Sequence, residues 1–252
     1  MHPNVISPHE EPFSYTLYQK YGDIKHWTSK EINSYCNDFY FFLKGKLNRF
    51  GTKEGLRVAL ETHKPDLTFE IVIHLTYLSF FPEKDKTGIT TIVDKQLGFH
   101  SYLEKVAEIY PKSKFLILIR DPRDQILSRI LLGQIRNEKK RNYLLWAYVW
   151  NYKYNTLLSK AVKIEENRFL KIKYEDLILN PEKELRKICG FFDISYNSQM
   201  LDYDENFKKL GNDINFSNAI KKEFLSIHSG LLKKVDSKKI GLWKKGIEQK
   251  DA

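Results

Sequence analysis

The sequence predicts an α/β fold built on parallel strands. The first observation behind this is the run Lys114-Phe-Leu-Ile-Leu-Ile-Arg120. Its five consecutive apolar residues, bounded by charge, read as a strand buried on both faces, as in a parallel sheet. The second is that Ile89–Val93 and Phe169–Lys173 have a similar character. The third is that helical pattern separates each of these candidates from the next. Strand, helix, strand, helix is the signature of parallel strands joined by crossover helices.

Taken in order, the chain opens on Met1-His-Pro-Asn-Val-Ile-Ser-Pro-His-Glu-Glu-Pro-Phe13. This stretch has no basic region leading into an apolar one, so it does not read as a signal peptide. The run from Ile71 to Phe81 is the longest apolar-leaning stretch. His74, Thr76 and Ser79 interrupt it, and it falls well short of a membrane span. Tyr102, Val106 and Ile109 space a helix ahead of the central strand, and Leu144 to Leu158 reads as a long, aromatic-rich helix after it. No glycine or proline falls between Gly133 and Pro181, which predicts mostly regular structure there. Asn180 to Gly190 is a well-signalled helix. Asn180 is placed to cap it, Pro181 suits its first position, and Glu182 and Glu184 favour its positive end. Leu185, Ile188, Cys189 and Phe192 then share one face. Tyr203 to Gly230 is polar and weakly periodic, and reads as loops and short helices forming a flexible lid. No internal repeat is visible, and the whole chain is read as one domain over 1–252, with 203–252 as lid and closing segment.

Composition narrows the classes. The 252 residues carry 42 Lys and Arg against 32 Asp and Glu, a net charge of +10. That balance favours an anionic partner: a nucleotide, nucleic acid, acidic polysaccharide or lipid head group. Hydrophobic residues make up 42%, enough for a packed core. Two cysteines exclude a disulfide framework and a cysteine-based zinc site, and the seven histidines form no metal-binding pair. A reducing compartment, the cytoplasm, and no metal are the resulting expectations.

The chemistry concentrates after the central strand, in Arg120-Asp-Pro-Arg-Asp-Gln-Ile-Leu-Ser128. Asp121 reads as an N-cap and Pro122 as the first helical residue. The strand therefore delivers Arg120 to the carboxyl edge of the sheet, where ligands bind in open α/β folds. A helix N-terminus beside it offers amides and partial positive charge to a phosphate. Arg120 adds a planar donor fork, and Ser128, two turns on, a hydroxyl. The plainer alternative is an arginine paired with a neighbouring carboxylate.

About fifty residues later comes Tyr174-Glu-Asp-Leu-Ile-Leu-Asn-Pro181, and near the end Ser237-Lys-Lys-Ile-Gly-Leu-Trp-Lys244. In order and spacing the set resembles the sulfotransferases that use 3′-phosphoadenosine-5′-phosphosulfate (PAPS). The resemblance implies a three-layer, P-loop-like α/β fold on a central parallel sheet. It implies that Arg120 and Ser128 hold the cofactor's 3′-phosphate and that Tyr174 lies near the adenine. Ser237, Lys238, Lys239, Gly241, Trp243 and Lys244 would close over the 3′-phosphate side. The alternative for the six lysines between Lys233 and Lys245 is a solvated tail. In Ile92-Val-Asp-Lys95, Lys95 lies twenty-five residues before Arg120 and matches the lysine that reaches the bridging oxygen of the phosphosulfate. Glu11, in its Glu-Pro pair, resembles the catalytic carboxylate of the protein and glycan sulfotransferases, with Glu10 beside it. His100 is the second candidate base, five residues after Lys95.

The family opens its domain with a strand, a phosphate loop and a helix, and by this resemblance the chain starts one such unit too late. Phe50-Gly-Thr-Lys-Glu-Gly55 is glycine-containing but has no strand before it and does not qualify as that loop. Three possibilities fit such a chain: a start placed too far downstream, a decayed remnant, and a protein that only binds the 3′-phosphoadenosine half. The first is preferred. The acceptor is expected to bear a hydroxyl or an amine, on a glycan, a protein or a small molecule. A basic nucleic-acid-binding protein is the rival from another class. Lys139-Lys-Arg141 and the C-terminal lysines give it a thin basis, and it leaves the Arg120 to Ser128 element without a role.

Overall fold

The computed structural model describes residues 2–8, 12–44, 50–80, 82, 85–96, 99–131, 143–205, 208, 233–234 and 236–246. The chain forms two compact units, His2–Phe99 and His100–Ala252. The described strands make two separate two-stranded parallel sheets, one in each unit.

In the first unit, β1 (Val5–Ile6) pairs with β2 (Thr91–Ile92), shorter than the strand read at Ile89–Val93. The same unit holds helices α1 (Phe13–Tyr21), α2 (Ser29–Phe42), α3 (Lys53–Thr62) and α4 (Phe69–Leu78), which pack on one another. Each start of α2, α3 and α4 has a threonine that satisfies an otherwise orphaned amide: Thr28, Thr52 and Thr68. At Thr28 the partner Glu31 completes a capping box. The core is aromatic. Phe13 meets Phe39, Phe50 and Tyr77 at ring-centroid distances of 5.0, 5.7 and 4.9 Å. Ile32, Tyr35, Leu60 and Val72 are fully buried around it. Tyr35 reaches the Thr76 hydroxyl at 2.8 Å, so the polar tip of this buried ring is satisfied. The apolar run from Ile71 resolves into α4, and the Phe50–Gly55 stretch into the entry and first turn of α3; the strand-like pairing described there is a bridge between Phe50 and Phe80.

In the second unit, α5 (Phe99–Ile109) leads to β3 (Phe115–Ile119), then α6 (Pro122–Leu131) and α7 (Tyr143–Ala161) cross back to β4 (Phe169–Lys173). β3 and β4 run parallel in a five-residue register from Phe115 opposite Phe169 to Ile119 opposite Lys173. The rings of that first pair stack at 5.0 Å. The expectation of burial on both faces is not met. Ile117 and Ile172 are buried, while Leu116 and Leu118 on the opposite face are 41% and 53% exposed. Successive residues of a strand point to opposite sides, and among the described residues only one side of β3 is well covered. α5 contains a non-helical residue, Tyr102, so the expected periodicity spans a kink.

After β4 come α8 (Tyr174–Leu179) and α9 (Pro181–Phe191). Asn180 occupies the N-cap position of α9 without making a side-chain cap hydrogen bond, which corrects the capping role read for it; Pro181 sits at the start as expected. Cys189 is buried on the predicted apolar face. Asp193 follows α9 with φ of 56°, and Lys114, just before β3, pairs with its carboxylate and donates to the Phe191 carbonyl at 2.8 Å. The last described helix, α10 (Trp243–Gly246), follows a 3-10 turn at Ser237–Lys239. Most of the 203–230 stretch lies outside the described residues. Among those described, no helix is long and apolar enough to cross a membrane.

Candidate functional site

The parallel register accounts for how two of the predicted residues meet. Ile119 and Lys173 are the last partners of the β3–β4 ladder, so the next residue of each strand, Arg120 and Tyr174, leaves the same sheet edge side by side. The Arg120 guanidinium carbon lies 4.6 Å from the centroid of the Tyr174 ring. Such stacking holds the guanidinium plane without consuming its in-plane donors.

The plainer alternative for Arg120, a carboxylate partner, is answered by where the neighbouring carboxylates go. Asp121 grips Arg123, with Nε–Oδ1 at 3.1 Å and Nη2–Oδ2 at 2.8 Å. Glu175 accepts the Asp121 backbone amide at 3.0 Å. Asp124 accepts the backbone amides of Gly241 at 2.7 Å and Trp243 at 3.0 Å. Arg120 is left with a buried Nε that has no hydrogen-bond partner among the described residues. A buried, unsatisfied guanidinium nitrogen costs free energy unless a ligand oxygen completes it, so the donor set at this edge fits an anion.

The helix N-terminus contributes differently from expectation. The Arg123 amide is capped by Asp121 Oδ1 at 2.8 Å, and the Asp121 amide is taken by Glu175. These amides are therefore occupied by the protein's own carboxylates, whereas the Arg120 Nε has no hydrogen-bond partner among the described residues. Burial works to raise the Asp121 carboxyl, but the hydrogen bonds from the Arg123 side chain and backbone hold it below the ordinary carboxylate range. Ser128 lies half-buried near the end of α6, about 9 Å along the axis from Pro122.

The C-terminal segment joins the same edge. The 3-10 turn at Ser237–Lys239 packs against α8, and α10 packs against α6. The Arg123 guanidinium carbon lies 3.5 Å from the Trp243 ring centroid. Ser237, Lys238 and Lys244 are exposed, and Gly241 is half-buried with φ of +72°, a conformation that glycine adopts without strain. The side chain of Lys239 lies outside what the structure describes. Arg120, Tyr174 and the 237–244 segment are thus brought together through α6 and α8.

Lys95 is exposed just beyond β2, in the first unit. The preceding Asp94 accepts from Ser14 Oγ at 3.2 Å, from Gln96 Nε2 at 2.6 Å and from the Tyr77 hydroxyl, tying the strand end to α1 and α4. Glu10 and Glu11 fall outside the described residues. His100 lies in the first turn of α5, and nothing is described of its side chain. Among the described residues no group of three or more His, Cys, Asp or Glu is arranged to hold a metal ion.

Asp121 caps the start of α6 as the sequence predicts, whereas Arg123 and Asp124, which the structure brings to the same edge, had no predicted role. Their only available signal was the alternation of opposite charges in Arg120-Asp-Pro-Arg-Asp124, which permits several pairings and selects none.

Residues 10–198 match the sulfotransferase family profile. Protein-tyrosine sulfotransferase A of Caenorhabditis elegans is 30% identical over 115 residues, 44% of this chain and 29% of that protein. The Drosophila melanogaster protein-tyrosine sulfotransferase is 31% identical over 107 residues, 41% of this chain and 21% of that protein. The matched stretch thus spans under a third of either relative. Among solved structures, the sulfotransferase domain from the Synechococcus PCC 7002 olefin synthase aligns with 96% of this chain and 79% of its own, at 19% identity and a TM-score of 0.53, a likeness of fold.

Proposed function

Because the chain belongs to the sulfotransferase family, we propose that it transfers a sulfuryl group from PAPS to a hydroxyl-bearing acceptor. PAPS supplies that group already activated as a phosphosulfate anhydride. The observation that carries the reading is Arg120: stacked on Tyr174 at the end of two registered parallel strands, with a buried Nε lacking an acceptor among the described residues. In this reading Arg120 and Ser128 bind the 3′-phosphate, with Lys238, Lys239 and Lys244 adding positive charge from the closing segment. Lys95 donates to the oxygen on which negative charge develops as the sulfur–oxygen bond breaks. Glu11 takes the acceptor's proton, with His100 as the second candidate. The finer fold reading, a three-layer P-loop-like architecture, rests on the family and on the two parallel strand pairs. The protein-tyrosine sulfotransferases among its relatives make a phenolic hydroxyl one acceptor to test alongside glycans.

Calorimetry with adenosine 3′,5′-bisphosphate tests the site directly. Arg120→Ala is expected to weaken binding by about 2 to 4 kcal/mol, since it removes a charge-assisted, forked contact. Equal affinity in wild type and variant would remove Arg120 from the site.

A further inference from the structure

Asp124 is only 3% exposed, yet it sits in the first turn of α6, where the preceding Asp121 already caps the amide of Arg123. Its two carboxylate oxygens are divided between two backbone amides a hundred and more residues away: Oδ2 accepts from Gly241 and Oδ1 from Trp243. Between those amides the chain passes through the positive φ of Gly241. Arg123, the adjacent residue, covers the Trp243 ring. A buried carboxylate is costly unless fully hydrogen-bonded. Here both oxygens are satisfied by the segment that carries Lys238 and Lys244, whose 3-10 turn packs against the helix beginning at Tyr174.

We propose that Asp124 is a positioning residue for nucleotide recognition: it clamps the Gly241–Trp243 backbone onto α6 and so sets the basic 237–244 segment against the 3′-phosphate side of the site. This rests on the nucleotide reading given above. The clamp acts through backbone geometry, which gives it an opposite sign from simple electrostatics. Asp124→Asn removes a negative charge close to a bound anion and, by charge alone, should tighten binding. It also replaces one accepting oxygen with an amide group that cannot accept from a backbone N–H. The clamp therefore predicts weaker binding, specifically of ligands that carry the 3′-phosphate.

The experiment compares adenosine 3′,5′-bisphosphate with adenosine 5′-phosphate in wild type, Asp124→Asn and Gly241→Ala, with far-UV circular dichroism verifying the fold. Hydrogen exchange is followed at the Gly241 and Trp243 amides of wild type and Asp124→Asn. In Asp124→Asn the preference for the bisphosphate is expected to fall about tenfold or more, as lost hydrogen bonds to a charged group imply, and at least one of the two amides should exchange faster. Gly241→Ala strains the same segment from its other side and should lower the preference without touching α6. Faster exchange with an unchanged preference would reduce Asp124 to a stability anchor and overturn the positioning role. Unchanged exchange at both amides would overturn the clamp itself. If wild type shows no preference for the bisphosphate, it is the nucleotide reading that fails, and the exchange rates still accept or reject the clamp.

Discussion

At the scale of single residues, the site depends on which charge takes which partner. Arg120 and Arg123 are three apart and chemically identical, but of the two only Arg123 has a carboxylate among the described residues. Asp121 takes it because an N-cap aspartate faces the amide and the side chain two residues on. Arg120 has an aromatic face instead. Tyr174→Leu is expected to weaken adenosine 3′,5′-bisphosphate binding by about 0.5 to 2 kcal/mol through loss of the stacked guanidinium, while Tyr174→Phe stays close to wild type. Calorimetry of the pair checks this; a Phe variant as weak as the Leu variant would move the tyrosine's role to its hydroxyl. Asp121 supplies a second prediction, in pH. Its carboxyl is held below the ordinary range in the folded chain, burial opposing and the Arg123 hydrogen bonds prevailing. The stability it contributes is therefore present above the unfolded carboxylate pKa of about 3.9 and is lost as pH falls through the folded value. Asp121→Asn retains a capping side chain but not the charge. Denaturation measured from pH 7 to pH 3 should show a shallower acid limb in that variant.

At the scale of elements, one arginine outside the site holds the second unit's strand pair to its preceding helix. Arg168, immediately before β4, donates from Nε to the Ser113 carbonyl at 2.9 Å and from Nη2 to the carbonyls of Tyr110 at 2.9 Å and Ala107 at 3.3 Å. It thereby closes the C-terminal end of α5 with a cation, where the helix dipole favours one. Arg168→Met keeps most of the side chain's bulk and loses these donors; about 2 kcal/mol of stability should go with them. Urea denaturation should show a lower midpoint with an unchanged slope. The positions of β3 and β4 were legible because a short apolar run flanked by charge is too brief for a buried helix and too apolar for a loop. Their register was not, because pairing depends on partners fifty residues apart. The exposure of Leu116 and Leu118 was also hidden: an unbroken apolar run looks the same whether one or both faces are covered. Asn180 shows the converse case. Its type and position are those of a cap, but its backbone at φ −135° and ψ 60° departs from the extended geometry that N-caps typically adopt, and no side-chain cap bond forms.

At the scale of the whole molecule, the net charge of +10 favours an anionic partner, and the strand-edge arginine offers a place where an anion fits; neither marked the boundary at Phe99 between the two compact units. The cysteines provide a probe for each unit. Cys36 is 0% exposed in the first, and Cys189 is 1% exposed in the second. Burial pushes the Cys36 thiol up to about 11, and burial likewise raises Cys189, with Arg186 pulling the other way. Raised values mean that the neutral thiol is the folded form: the associated stability is fully present below the ordinary thiol pKa of about 8.5 and is lost as pH rises through the folded value. At pH 8 both thiols should resist an aromatic disulfide reagent in the native chain and react on unfolding in guanidinium, because only an exposed thiolate attacks. Single Cys36→Ser and Cys189→Ser variants assign the two reactions. Adenosine 3′,5′-bisphosphate at about a hundred times its Kd should then slow labelling of Cys189 about a hundredfold where reaction proceeds through unfolding of the second unit, since the ligand stabilises that unit by about 2.7 kcal/mol. The effect on Cys36 measures how far the first unit opens together with the second. Rapid labelling of Cys189 without denaturant would contradict its burial, and labelling of Cys189 that ignores the nucleotide would place nucleotide binding outside the unit that holds Arg120.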